Sequence, residues 1–271
     1  MTRSGLAERV DVRRANSRAA TKLSWLDSKH SFSFGRQYDP ANTHHGVLLV
    51  NNDDVVRPGA GFETHPHRDM EIVTWVMQGS LVHQDSTGHS GLIYPGLAQR
   101  MSSGTGILHS EKNDSWRLQG GDTHSDPVHF IQMWVVPDEA GIAPGYEQLE
   151  IDNDQLSGAF LPVVSGMDQH ADLAPIRIKN RYAALHVARL QPGQSAQLPD
   201  APYLHLFVAG GRIRLEGAGD LETGDAVRFT ATGGQRITAV EADSTPATQR
   251  GGIDRPPAEI LVWEMHTSVA G

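Results

Sequence analysis

His65-Pro66-His67 and His109-Ser110-Glu111 are the residues of this chain best suited to chemistry. Each triplet sets two metal-ligand side chains two residues apart. On a β-strand, residues i and i+2 project from the same face, so each triplet can present two ligands in one direction. Two such strands brought together in a barrel would surround one ion with three imidazoles and a carboxylate, a set suited to iron, nickel, copper or zinc. The competing reading, surface histidines on a polar strand, suits a single His-x-His. It does not account for two pairs at matched spacing on either side of a hairpin. Glu71 leaves one ambiguity: it stands four residues beyond His67, and an unbroken strand would aim it at the same face.

The elements that must hold these residues are short strands. The 28 glycines and 15 prolines are spread through the chain and punctuate short apolar runs, the pattern of an all-β barrel or sandwich. Gly46 to Asn51 reads as a strand followed by a turn at Asn52-Asp53-Asp54. Glu71 to Met77 is β-branched and aromatic, and Gly79 turns it into Leu81-Val82-His83. Val128 to Val136 is the strongest strand, ended by Pro137, and the polar stretch from Gln119 to Pro127 before it reads as a loop.

The second half repeats the theme. Tyr203 to Leu215 has the shape of Glu71 to His83, with Gly211 in the place of Gly79, and Leu221 to Phe229 mirrors Ile93 to Met101. This is an internal duplication, and it implies two barrels in tandem. Residues 1–147 would form the first barrel, 148–180 a linker with short helices, and 181–271 the second, with Ala258 to Met265 as the final strand. Superposing the two repeats puts Gln197, Pro199 and Tyr203 where His65, His67 and Glu71 stand, and Ile237 and Ala239 where His109 and Glu111 stand. The second barrel is therefore expected to lack a metal site, and the chain to hold one ion.

Composition narrows the function classes. With 23 Lys and Arg against 32 Asp and Glu, the 271-residue chain carries a net charge of −9, which disfavours direct nucleic-acid binding. It has no cysteine, which excludes disulfides, thiolate ligands and cysteine nucleophiles. No stretch approaches the roughly 20 apolar residues of a membrane span. Arg13-Arg14 is not followed by an apolar segment, so the arginine-rich start reads as a strand or arm on the folded barrel. A cytoplasmic monomer is expected. No Gly-x-Ser-x-Gly, P-loop or dinucleotide fingerprint is present.

The spacing also carries a resemblance. Gly59, five residues, His65-x-His67, three residues, Glu71 and then Gly79, followed by Gly106, two residues, His109, three residues and Asn113, resemble the two signatures of the cupin barrel. More narrowly, Gly61 to Trp75, Met101 to Glu111 and His83-Gln84-Asp85-Ser86-Thr87-Gly88 resemble the pirin family. Trp25-Leu26-Asp27-Ser28, His30 to Phe34 and Tyr38-Asp39-Pro40 resemble its bacterial members with quercetin-dioxygenase activity. The resemblance is strong from about Arg13 to Glu150 and weak beyond.

The resemblance implies a bicupin, two jelly-roll-like barrels, with a metal held by His65, His67, His109 and Glu111. In pirins the fourth ligand matches Glu111 rather than Glu71. It further implies one divalent transition metal, iron(II) first, with nickel, copper, cobalt, manganese or zinc also compatible. The implied reaction is oxidative cleavage of flavonols such as quercetin by dioxygen, with release of carbon monoxide. Glu111 would be the base for the 3-hydroxyl proton. Eukaryotic pirins imply a rival: a non-enzymatic, redox-sensitive partner of transcription factors. A third reading is a metal barrel acting on another small phenolic molecule. His83, His89, His124, His129 and His44-His45 receive no ligand role, and Pro137 to Ala140 reads as a solvated turn.

Overall fold

Strand formation follows the β-branched and aromatic runs, and glycine sits where the chain must reverse. In the computed structural model, residues 6–114, 125–241 and 257–269 are described. His124 and residues 119–124 of the expected loop lie outside them. The chain order begins with β1 (Arg9–Arg13), β2 (Ala19–Lys22), β3 (Leu26–His30), β4 (Leu48–Val56), β5 (Gly61–His67) and β6 (Glu71–Gln78). It continues with β7 (Leu81–Asp85), β8 (Ser90–Ile93), β9 (Leu97–Ser102), β10 (Ile107–Lys112), β11 (Val128–Val135) and β12 (Gly145–Glu150). Next come β13 (Leu161–Ser165), β14 (Ile176–Arg177), β15 (Ala183–Leu190), β16 (Ser195–Gln197) and β17 (Tyr203–Gly210). The last are β18 (Arg212–Leu215), β19 (Gly219–Glu222), β20 (Ala226–Thr230), β21 (Arg236–Ala239) and β22 (Ala258–Met265). Among the described residues no helix is long and apolar enough to cross a membrane.

The duplication is visible in the strand orders. One large sheet runs β12-β9-β6-β11-β4-β3-β2 and faces a small sheet β5-β10-β7-β8; the other large sheet runs β1-β20-β17-β22-β15-β13-β14, with a small sheet β16-β21-β18-β19. The run β9-β6-β11-β4 thus matches β20-β17-β22-β15 strand for strand. Gly79 and Gly211 occupy the matching turns with φ of 76° and 81°, a conformation that glycine adopts without a Cβ penalty.

The two large sheets pack face to face. Alternate residues of β11 divide between two cores: Ile131, Met133 and Val135 meet Val187, Leu261, Trp263 and Met265 of the second half, while Phe130 joins Leu26, Val56 and Leu81 inside the first barrel. This is why β11 reads as the most apolar strand: both of its faces are covered. Its counterpart β22 is buried along its whole length. The Trp75 indole donates to Glu259 across this contact at 2.6 Å, and Glu259 also pairs with Arg189 at 2.8 Å.

Three elements depart from the expected divisions. β1 pairs with β20 of the second large sheet, so the arginine-rich start is an arm laid on the opposite barrel. Within 148–180, β13 and β14 join the second large sheet, and short 3-10 turns cover Asn153–Leu156 and Asp168–His170. Asn52 to Asp54 is not a turn, because β4 runs through it in register with β11. Its polar side chains find partners in the sheet: Asn52 Oδ1 accepts from His30 at 2.9 Å, and Asp53 pairs with His129 at 2.7 Å and Arg18 at 3.3 Å. Arg18 is itself buried and also donates to Lys29 O and Gly224 O, which ties the arm to both halves.

His45 gives this junction a pH dependence. Its Nε2–H donates to the Phe229 carbonyl at 3.0 Å, while burial, helped by nearby Arg228, pushes its pKa down to about 4. The ring is neutral in the folded state over a range where the unfolded chain takes up a proton. Its contribution is therefore complete above pH 6.5 and is lost as pH falls towards 4, with a slope of up to about 1.4 kcal/mol per pH unit. Urea titrations of wild type and His45→Gln at pH 7, 6, 5 and 4.5 should show a shallower acid loss in the variant. Parallel curves would show that His45 does not carry it.

Candidate metal centre

β5 and β10 run antiparallel with His65 directly opposite His109 and His67 opposite Ile107. Exposure alternates along both strands: Ile107, His109 and Glu111 are buried while Leu108 is exposed, and His65 and His67 are less exposed than Pro66 between them. A bulge between His109 and Glu111 shifts the register. Gly61 makes that approach possible, since a Cβ there would lie 2.2 Å from the Glu111 carbonyl oxygen.

The three imidazoles converge. Ring centroids are 4.5 Å apart for His65 and His109, and 4.9 Å for both His65–His67 and His67–His109. One ligand atom from each lies within 4.8 Å of the others. The His65 Nδ1–H donates to the Glu63 carbonyl at 2.7 Å, which leaves Nε2 as its free lone pair. His67 Nε2 and His109 Nε2 are buried and have no hydrogen-bond partner. Burial, reinforced by the neighbouring imidazoles, pushes the pKa of both His67 and His109 down to about 3, so both rings are neutral at physiological pH. Neutral imidazoles with unpartnered lone pairs turned together are what a divalent transition metal requires, and these residues fit one.

Glu111 points into the same barrel but is not within that cluster. Its two oxygens accept from Gln132 Nε2 at 2.9 and 2.8 Å. The Trp134 indole donates to Gln132 Oε1 at 3.1 Å and so fixes which end of the amide faces the carboxylate. Burial raises the Glu111 pKa, with Gln132 and the nearby His83 and His65 opposing. The Trp134 ring also stands edge-on to His67 at 4.8 Å.

Glu71 is elsewhere. β5 stops at His67, and Asp69 at φ 49° turns the chain before β6 starts at Glu71. The strand is broken, and the i+4 relation to His67 does not hold. Glu71 is buried, accepting from Ser102 Oγ at 2.9 Å and from the Lys179 backbone at 3.2 Å.

Sequence reasoning passed over the surroundings of the triad. His83 is fully buried, its Nδ1 3.5 Å from His109 Nδ1, stacked on Tyr146 at 4.6 Å and bonded to Asp85 at 3.2 Å. Gln132 and Trp134 come from β11, far along the chain. One sequence signal did exist for Gln132, a lone amide in the middle of the most apolar strand. Two open depressions flank the triad. One of about 450 Å³ is lined by Pro66, His67, Ile107 and Leu108; the other, of about 500 Å³, is lined by Trp25, Phe62, His65 and Lys112.

A pair of β-barrels with an imidazole cluster at the mouth of the first is the cupin architecture, a metal-binding fold. The model of the pirin family, described as Pirin, matches residues 11–135. A Mycobacterium tuberculosis protein named "Putative quercetin 2,3-dioxygenase Rv0181c" is 54% identical over 260 residues, 96% of each chain. The Escherichia coli K12 protein named quercetin 2,3-dioxygenase is 46% identical over 143 residues, 53% of this chain and 58% of that one. The crystal structure of the bacterial pirin YhhW from Escherichia coli in complex with nickel(II) superposes with a TM-score of 0.78 at 29% identity, covering 96% of this chain and 100% of that one. The chain belongs to the pirin family.

Gln132 is the donor that makes a buried Glu111 tolerable. Gln132→Leu removes it and should destabilise the fold by about 1–3 kcal/mol, measured as a lowered urea midpoint at constant slope. An unchanged midpoint would show that other groups hold the carboxylate.

Proposed function

We propose that the protein is a metal-dependent dioxygenase that cleaves flavonols such as quercetin with release of carbon monoxide. The observation that carries this reading is the convergence of His65, His67 and His109, with the His67 and His109 Nε2 atoms buried and unpartnered, in the barrel that also holds a carboxylate bound by one amide. His65, His67 and His109 would hold the metal, with Glu111 as the fourth ligand. The relatives named for quercetin cleavage and the nickel(II) complex of a structural relative support it. Iron(II) and nickel(II) are the first metals to load.

A bound metal supplies open coordination positions at which a chelating substrate and dioxygen can meet. The remaining work belongs to the chain. A flavonol presents adjacent hydroxyl and carbonyl oxygens on a flat ring system, and its 3-hydroxyl must lose a proton. Glu111, buried on the same strand as His109 and two residues beyond it, takes that proton. Gln132, itself held by Trp134, orients the carboxylate through both oxygens. Burial favours the protonated acid once the transfer is made. The apolar sides of the flanking depressions, Ile107 and Leu108 on one side and Trp25 and Phe62 on the other, seat flat aromatic rings.

The test loads metal-free protein with iron(II), nickel(II), copper(II), cobalt(II), manganese(II) or zinc(II) in turn, and follows oxygen uptake and carbon monoxide release with a flavonol panel. One carbon monoxide per dioxygen consumed is expected. His67→Ala and His109→Ala should each lose the metal of this site, and His83→Ala should weaken its binding about tenfold by freeing the His109 ring. Glu111→Gln should lower turnover by about 10²- to 10⁴-fold. Metallated protein that releases no carbon monoxide from any flavonol, yet binds a protein partner only when metallated, would transfer the assignment to the regulatory reading.

A further inference from the structure

We propose that His170, His186 and Glu264 form a second metal site, in the second barrel, that takes a divalent zinc-type ion and staples the connection between β13 and β14 to the barrel wall. One ligand atom from each of the three lies within 4.8 Å of the others, and all three residues are buried. They come from three separate elements: His186 from β15, Glu264 from β22, and His170 from the 3-10 turn Asp168–His170. His186 lies on the face of β15 that carries Ala188, and Glu264 on the face of β22 that carries Val262, the faces lining the core of the second barrel. Glu264 is the seventh residue of its eight-residue strand, as Trp134 is of β11. The cluster therefore sits at the level of the first site but on the opposite wall.

The comparison of the two repeats missed it for that reason. Matching strand positions places Ile237 and Ala239 opposite the first site's ligands, and both are buried in apolar core. The donors arise instead on the large sheet and on the connecting segment.

Two imidazoles and one carboxylate, with water completing the shell, is a recurrent zinc set. The groups around it orient these donors. Glu264 Oε2 meets His186 Nε2 at 2.7 Å, while its Oε1 accepts from His266 at 2.7 Å. Ser165 Oγ holds His170 Nδ1 at 3.0 Å. His266 and Ser165 are partners of the kind that fix carboxylate and ring orientation around metals, and an ion would take the place of the proton shared by His186 and Glu264. An ion pair alone accounts for His186 or His266. It does not involve His170, whose ring, brought in from another segment, stands perpendicular to His186 at 5.4 Å, with Ser165 Oγ at 3.0 Å from Nδ1 and Gln169 Nε2 at 3.4 Å from Nε2. His266 is partly exposed, which leaves an entry path.

The experiment titrates zinc(II) into chelator-treated full-length protein and counts tightly bound ions after desalting. Wild type should retain two, the His65→Ala/His109→Ala variant one, and His186→Gln and Glu264→Gln one each. In the His65→Ala/His109→Ala variant, zinc at a hundredfold excess over its dissociation constant should raise the melting temperature by about 5 °C or more. A folded His65→Ala/His109→Ala variant that takes up no zinc would overturn the proposal. So would two ions retained by both His186→Gln and Glu264→Gln. Should those two fail to fold, zinc-soaked wild-type crystals decide: an anomalous peak among His170, His186 and Glu264 supports the site, and its absence overturns it. Unreduced zinc uptake by the His65→Ala/His109→Ala variant would instead count against the first site alone.

Discussion

Two buried imidazole nitrogens without a hydrogen-bond partner, beside a third whose other nitrogen is already committed, are the constraint around which the first barrel is arranged. A buried polar atom left unpaired costs about 1–3 kcal/mol. The His67 and His109 rings, both neutral, cannot satisfy each other, because each offers Nε2 as an unpartnered acceptor. A divalent ion removes that cost from both at once, so binding energy is stored in the folded chain as unmet coordination. The β5–β10 register, the bulge after His109 and the missing Cβ at Gly61 all serve that convergence.

The second half acts on this site through packing. The two large sheets share a core to which β11 and β22 each contribute one face, and Arg18 links the N-terminal arm to both halves. That core holds β11 in place, and β11 carries Gln132 and Trp134 on its other face. The barrel without the imidazole triad thus fixes the wall that orients Glu111.

The paired ligands were legible in the sequence because their spacing equals the strand period, and the pattern survives as alternating burial along β5 and β10. The duplication was legible through glycines that need positive φ at matching turns. Other features are set by partners distant in the chain. Asn52 to Asp54 looks like a turn until His30, Arg18 and His129 are seen to satisfy it. Glu71 looks in register with His67 until Asp69 turns the chain. His83, Gln132 and the His170–His186–Glu264 cluster carry no local spacing signal, since each depends on strands that meet only in the fold. The pairing of β1 with the second barrel is of the same kind.

X-ray absorption at the nickel edge, on protein loaded with one equivalent of nickel(II), tests the central claim most directly. The account predicts three imidazole nitrogens at about 2.0–2.1 Å with oxygen completing the shell, and loss of that imidazole signature in a His67→Ala/His109→Ala variant that also carries His186→Gln to silence the second cluster. A shell of oxygen alone, or an imidazole signature that persists unchanged in that variant, would contradict it.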